Sequence, residues 1–189
     1  MAILRSEDVE FEGVLNAAKL MAVSARTAPK ARGMDAISTL ILTGDEKDRI
    51  ADEMEKIYEE RKSYIFKRDA ENLRKSPVVL LIGVRGREPK GLDCGACGFS
   101  CDELRRMEKK LRFTFPGPNC IKYVLDLGIA IGSAVKTASL LNVDNRVMYT
   151  IGAAAKRLNL MDADIIIGIP LSATGKSIYF DRPRPAKAE

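Results

Sequence analysis

Apolar residues recur near a 3.6-residue period early in the chain, at Val9, Val14, Leu15, Ala18, Leu20, Met21 and Ala22. Ser6 stands where an N-cap would, so a packing helix is expected from Ser6 to about Ser24. The pattern breaks at Thr27-Ala28-Pro29-Lys30-Ala31-Arg32-Gly33 and resumes at Ala36 to Thr43 as a β-branched, strand-like run. Gly44-Asp45 then opens a helix over about 46–64 with a core stripe of Ile50, Met54, Ile57 and Tyr58. Its other faces carry Glu, Asp, Lys and Arg at pairing distances, the signature of a solvent-facing side rather than of paired catalytic carboxylates. A short helix over 69–75 ends at Ser76-Pro77. The run Val78 to Val84 that follows is apolar without alternation, as in a strand covered on both faces.

The second half continues with a polar loop over 85–93, a charged helical stretch over 102–111, and an aromatic and proline turn over 113–119. The most apolar helix is expected over 121–141. Its small residues Gly128, Ala130, Gly132, Ser133, Ala134 and Ala138 permit close approach of another helix or a second subunit, so a homodimer is expected. A further small-residue helix over 147–158, a buried strand over 163–171 and a polar tail from Ser172 complete the pattern. Three strands among helices predict an α+β (α/β layered) fold, one domain over 1–189 with a cysteine-rich insertion at 85–120. Strand order is not readable from this pattern.

Composition narrows the picture. With 46% hydrophobic and 30% charged residues in 189, the chain can bury roughly 70% of its unfolded surface in one core without cross-links. The net charge of +5 comes from basic residues interleaved with acidic ones, without a basic stripe carrying stacking aromatics, so no nucleic-acid partner is expected. The chain contains no histidine, which removes imidazole catalysis and histidine metal sites. The N-terminal stretch has no apolar run, and the runs at 78–84 and 165–171 are too short to span a bilayer. No membrane association is therefore expected, and the sparse cysteines suit the reducing cytoplasm.

Those cysteines carry the chemistry. Cys94-Gly-Ala-Cys97-Gly-Phe-Ser-Cys101 places three thiols in one loop, and Cys120 follows in Pro-Asn-Cys. Four such thiols suit a [4Fe–4S] cluster, and the intervening glycines let backbone N–H groups turn toward sulfur. A helix starting near Cys101 would further favour its thiolate. A structural zinc site on the same four residues is the alternative, although zinc hooks usually come as two Cys-x-x-Cys pairs. An exchanging Cys94–Cys97 pair is a third reading, which leaves Cys101 and Cys120 without a role. Asp93 and Asp102 flank the thiols, either capping turns or tuning a potential. Arg26, Lys30 and Arg32 form either an anion cradle or a solvated connector. Ser172 to Ser177 contains Gly-Lys-Ser, but Pro170 stands where a phosphate-binding loop needs glycine and no helical pattern follows.

The Cys-Gly-Ala-Cys-Gly-Phe-Ser-Cys loop, the later Gly-Pro-Asn-Cys and their flanks resemble a family of uncharacterised ferredoxin domain-containing proteins of anaerobic bacteria and archaea. That resemblance implies iron–sulfur binding with no assigned activity. Ala28-Pro29 after the first helix, the segment Pro77 to Val84 and the segment Asp126 to Leu160 resemble the nitroreductase-like FMN fold. It implies a sheet flanked by helices, a helix-pair dimer core and FMN at the dimer interface. In that fold an Ala-Pro-Ser turn and a downstream asparagine lie near the flavin, and arginines near the chain start bind its phosphate. Here Lys30 and Gly33 stand at the first two of these positions, and only Arg5, beside Ser6, represents the arginines. Arg26, Lys30 and Arg32 would have to supply the phosphate contacts. Together the resemblances imply a flavin or iron–sulfur oxidoreductase, or a carrier exchanging electrons with a partner protein.

Overall fold

The computed structural model describes residues 3–111 and 113–181. The two unalternating apolar runs become the middle of its sheet, β2 (Val78–Val84) and β6 (Ile165–Ser172), paired antiparallel from Val78 opposite Leu171 to Val84 opposite Ile165. β1 (Ile37–Thr43) pairs antiparallel on the outer side of β2, and the two-residue β5 (Asp144–Asn145) on that of β6, giving the order β1-β2-β6-β5.

Helices cover both faces. α1 (Ser6–Thr27) and α5 (Ile121–Leu140) lie on one, against Val78, Leu80, Ile82, Val84, Ile169 and Leu171. α2 (Gly44–Arg61), α3 (Tyr64–Lys75) and α6 (Tyr149–Arg157) lie on the other, against Val79, Leu81 and Ile166. A strand alternates its side chains between faces, so β2 must be apolar at every position because both of its faces meet helices.

Several boundaries move for identifiable reasons. Arg5, not Ser6, occupies the N-cap of α1, and Ser6 is its first helical residue. The helix expected over 46–64 ends at Arg61 because Lys62 adopts a left-handed conformation, its N–H donating to the Tyr58 carbonyl at 2.7 Å. The chain re-enters a helix at Tyr64, so that Phe66, Ala70 and Leu73 join the same layer. α4 (Cys101–Arg106) is shorter than the charge pattern suggested. Residues beyond it form a miniature ladder of β3 (Lys110–Leu111) with β4 (Pro116–Gly117).

Ala130, Ala134 and Ala138 of α5 face α1, where Ser24 Oγ meets Thr137 Oγ1 at 2.6 Å. α5 is by length and mean hydropathy long and apolar enough to cross a membrane, unlike the shorter runs considered from sequence. Its inward stripe packs within the protein and includes Asp126, buried in an ion pair with Lys90.

The polar segment after β6 is not a solvated tail over its described length, 173–181. No helix follows the Gly-Lys-Ser, and the backbone turns to bury Tyr179 in the core of the α2–α3–α6 face. The Tyr179 hydroxyl lies 2.9 Å from Ser76 Oγ, and burial pushes its phenol from the ordinary 10.0 up to about 12. The folded chain therefore keeps a proton that the unfolded chain releases. This contribution is fully present below pH 10 and is lost as pH rises toward 12, a decrease of roughly 2–3 kcal/mol. Chemical denaturation across that range should show a shallower alkaline decline for Tyr179→Phe than for the unaltered protein; equal declines would contradict it.

Candidate metal centre

The cysteine-bearing segment springs from the end of β2. There the Arg85 N–H donates to the Ala36 carbonyl at 3.2 Å, and Gly86 N–H donates to Oδ2 of the buried Asp164 at 2.8 Å. The other Asp164 oxygen accepts from Arg87 Nε at 2.7 Å. The Gly86 carbonyl accepts the N–H of Cys120 at 3.1 Å, which fixes the fourth cysteine beside the strand end. A Cβ on Gly86 would come within 3.0 Å of Asn119 Oδ1, so the close approach of these two segments depends on glycine.

Lys90 pins the root of the loop. Its ammonium is fully enclosed, donating to the carbonyls of Ala31 at 2.8 Å and Met34 at 3.0 Å and to Asp126 Oδ2, and it lies 4.3 Å from the centre of the Tyr123 ring. Arg32 Nη1 holds the Lys90 carbonyl at 2.6 Å. Neither Lys90 nor Asp126 stands out in the sequence, since one sits in a polar loop and the other within an apolar helix. The lone carboxylate amid the apolar residues of 121–135 was the signal that a buried cation had to meet it.

Beyond Lys90 the loop uses left-handed backbone at Gly91, Asp93, Gly95 and Gly98, and the Gly98 N–H closes a turn onto the Gly95 carbonyl at 2.9 Å. Asp93 and Cys101 bond reciprocally. Asp93 Oδ1 accepts the Cys101 N–H at 2.7 Å, and Cys101 Sγ accepts the Asp93 N–H at 3.2 Å. Asp93 thus closes the loop, whereas Asp102 pairs with Arg105 at the surface. A capping box starts α4: Ser100 Oγ accepts from the Glu103 N–H, and the Glu103 carboxylate accepts from the Ser100 N–H, holding that carboxyl below its usual range.

All four cysteines are free thiols. Cys94 is exposed, Cys97 and Cys101 are half-buried, and Cys120 is buried. Cys97 Sγ is 3.6 Å from the Phe99 carbonyl, and both residues pack against the core that includes Cys120. Cys120 occupies the N-cap of the long helix α5, where the unpaired N–H groups favour an anion. Burial raises the Tyr123 phenol, with Cys120 and Asp126 adding to the rise. Among the described residues, no three Cys, Asp or Glu side chains converge as a metal-binding group in this conformation. The residues fit an iron–sulfur cluster in donor chemistry, through four thiols and a backbone N–H already directed at sulfur. The sulfurs are not gathered in this conformation, and Gly95 and Gly98 have open space around them.

The basic trio lies at the C-terminal end of α1, where orphan carbonyls favour cations. Lys30 Nζ donates to the carbonyls of Ala25 at 3.1 Å, Ala28 at 2.8 Å and Arg26, and Arg26 pairs with Asp35. Burial would raise the Asp35 carboxyl, but the Ile37 N–H and Arg26 outweigh it and hold the group below its usual range. Arg32 is occupied by Lys90. All three cations therefore have partners within the protein. A cleft of about 600 Å³ lies against Met107, Glu108, Lys110, Phe115, Gly117 and Pro118, and another of about 340 Å³ is bordered by Arg85, Arg87, Glu88 and Tyr123.

The fold is that of nitroreductase-like flavoproteins. A candidate nitroreductase from Desulfovibrio desulfuricans solved in complex with FMN superimposes with a TM-score of 0.53 at 14% identity, covering 90% of this chain and 80% of that one. Nitroreductase CinD from Lactococcus lactis, in complex with nicotinic acid, gives 0.55 at 16% identity over 92% and 81%. A BluB-like flavoprotein from Clostridium difficile gives 0.52 at 14% identity over 100% and 87%. In sequence, an uncharacterized protein of Archaeoglobus fulgidus is 50% identical over 182 residues, 95% of this chain and 97% of the other. A family model matches residues 116–182, a span that contains Cys120 but not the three loop cysteines. By that match and that degree of identity over nearly its whole length, the chain belongs to the family described as uncharacterized protein containing a ferredoxin domain (DUF2148).

Proposed function

We propose that the protein is a redox or electron-transfer protein in which Cys94, Cys97, Cys101 and Cys120 ligate a [4Fe–4S] cluster, with 85–120 as the cluster-binding insertion of the nitroreductase-like domain. The observation that carries this reading is a pair of held thiol positions, one within the insertion and one at its end. Cys101 Sγ already accepts a backbone N–H at 3.2 Å, and the buried Cys120 stands at the N-cap position of α5. Such N–H groups stabilise thiolate ligands and help set a reduction potential. The bound cluster would supply one-electron transfer. The remaining residues orient the thiols and shield Cys120 from water. The ferredoxin-domain family description supports the same reading.

Anaerobic reconstitution with iron and sulfide should give a brown protein holding about four irons per chain with a broad visible absorbance. A colourless protein with one equivalent of zinc would instead establish the structural zinc reading of the same thiols. No iron after reconstitution would overturn the proposal.

The likeness to the fold of flavoproteins supports a reading with FMN as a second cofactor, in which the protein would act as a flavin and iron–sulfur oxidoreductase. Of the three cations named for the phosphate, Arg26 has an exposed side chain paired with Asp35, while Lys30 and Arg32 are held by carbonyls. The homodimer is supported by the outward face of α5, where Leu125 and Ile129 are exposed and nothing lies within 4 Å of a Cβ placed on Gly128 or Gly132. An electron-transfer partner protein would meet the exposed Cys94 side of the loop.

A further inference from the structure

We propose that Lys90 is the positioning residue of the metal centre: its enclosed ammonium locks the root of the cysteine loop to the first two turns of α5, keeping Cys94 and Cys97 within reach of Cys120. The inference rests on the iron–sulfur reading of the four thiols. It adds a residue that contacts no metal and determines whether the ligands can meet.

The geometry leads there step by step. The three ammonium donors of Lys90 are matched by three oxygens, those of Ala31, Met34 and Asp126, while the Tyr123 ring lies against the charge. Asp126 is itself committed, its second oxygen accepting the Ala31 N–H at 3.0 Å. Lys90 therefore joins the 31–34 turn, α5 and the loop root at a single point. Its own carbonyl is clamped by Arg32. A buried ion pair is a poor source of net stability, since apolar side chains of similar volume would serve as well. An apolar pair could not hold two backbone carbonyls and a carboxylate in one register.

Distances turn that register into a constraint on the thiols. Asp126 is six residues beyond Cys120, about 9 Å along a helix axis. The four residues from Lys90 to Cys94 reach at most about 14 Å when extended. Through Asp126, Lys90 ties the loop root to the helix that Cys120 begins, and the Gly86 carbonyl holds Cys120 from the other side. Without the tether, the chain from Gly86 to the Asp93–Cys101 closure would lose the enclosed ammonium that joins it to α5.

The test compares the full-length protein with Lys90→Met, Asp126→Asn and Thr150→Val. The last removes a buried hydroxyl bonded to Asp69 at 2.7 Å on the opposite helical layer and controls for general loosening. In the metal-free, reduced proteins, alkylation of each cysteine by iodoacetamide is followed by mass spectrometry. Cys94 should react at an unchanged rate in all four, whereas Cys120 should react at least tenfold faster in Lys90→Met and stay slow in Thr150→Val. After anaerobic reconstitution, Lys90→Met should retain less than a fifth of the iron bound by the unaltered protein, and any cluster it retains should show a shifted midpoint potential. If Lys90→Met does not fold, Asp126→Asn is judged by the same criteria.

Wild-type alkylation of Cys120, together with full iron loading and an unshifted potential in the folded variant, would overturn the role of Lys90. An unaltered protein that binds no iron would overturn the cluster reading itself. Faster alkylation of Cys120 in that case would still establish the tether.

Discussion

Cys120→Ser is expected to bind less than a tenth of the iron taken up by the unaltered protein while keeping its fold. The serine oxygen is a poor substitute for thiolate in a sulfur-rich site. Cys120 lies in the core, only 5% exposed, where a hydroxyl costs about 1–2 kcal/mol when it lacks a partner. The metal-free variant should therefore melt slightly lower but cooperatively, with unchanged circular dichroism. Cys94→Ser gives the informative contrast. Cys94 is exposed and lies outside the hydrophobic core, so the metal-free protein should melt like the unaltered one while losing iron to the same extent. Full iron loading in Cys120→Ser would show that the cluster, if present, is held by the loop with some other fourth ligand. Loss of iron in Cys120→Ser but not in Cys94→Ser would equally exclude the four-thiol set.

The largest effect on folding is expected from Gly152→Ala. In α6, a Cβ at this position would lie 1.7 Å from the Ile166 carbonyl oxygen and 2.4 Å from its carbon, inside any tolerable contact and against backbone that cannot swing away. Separating α6 from β6 would also break the bridge between Met148 and Gly168 and the fit of Ile151 over Gly168, where a Cβ would meet the Ile151 side chain at 2.1 Å. The expected cost is about 3 kcal/mol or more, a large part of the stability of an ordinary domain. It would be read as a lowered urea midpoint, or as insoluble protein. Gly128→Ala and Gly132→Ala are the controls, because both lie in α5 with open space about them. In a monomer each should raise stability by up to about 1 kcal/mol through helix propensity. A loss of stability that depends on protein concentration would instead place α5 in the dimer contact. A Gly152→Ala protein of unchanged midpoint would contradict the close packing of α6 on β6.

What could be read from sequence was local. Val78 to Val84 was apolar at every position, and it became the central strand β2 with every residue buried. The stripe Ile50, Met54, Ile57 was the inward face of α2. The helix over 46–64 was misread because Lys62, an unremarkable residue in a charged stretch, turns left-handed to let α3 fold back. The segment after Ser172 was misread because Tyr179 is buried in the core of the α2–α3–α6 face, where its hydroxyl meets Ser76, which its polar neighbours do not disclose.

The candidate centre divides in the same way. The spacing of Cys94, Cys97 and Cys101 and the glycines between them made these thiols the candidate ligands, because spacing within one loop is a property of the local chain. The sequence by itself determined the helix and strand periods, the donor chemistry and the absence of imidazole. Only the tertiary structure decided the antiparallel order β1-β2-β6-β5, the anchoring of Cys120 to Gly86, the internal partners of Arg26, Lys30 and Arg32, and the burial of Lys90 against Asp126. Side-chain period and ligand spacing are set over a few consecutive residues. A buried charge finds its partner only when segments far apart in the chain are brought together and water is excluded from between them.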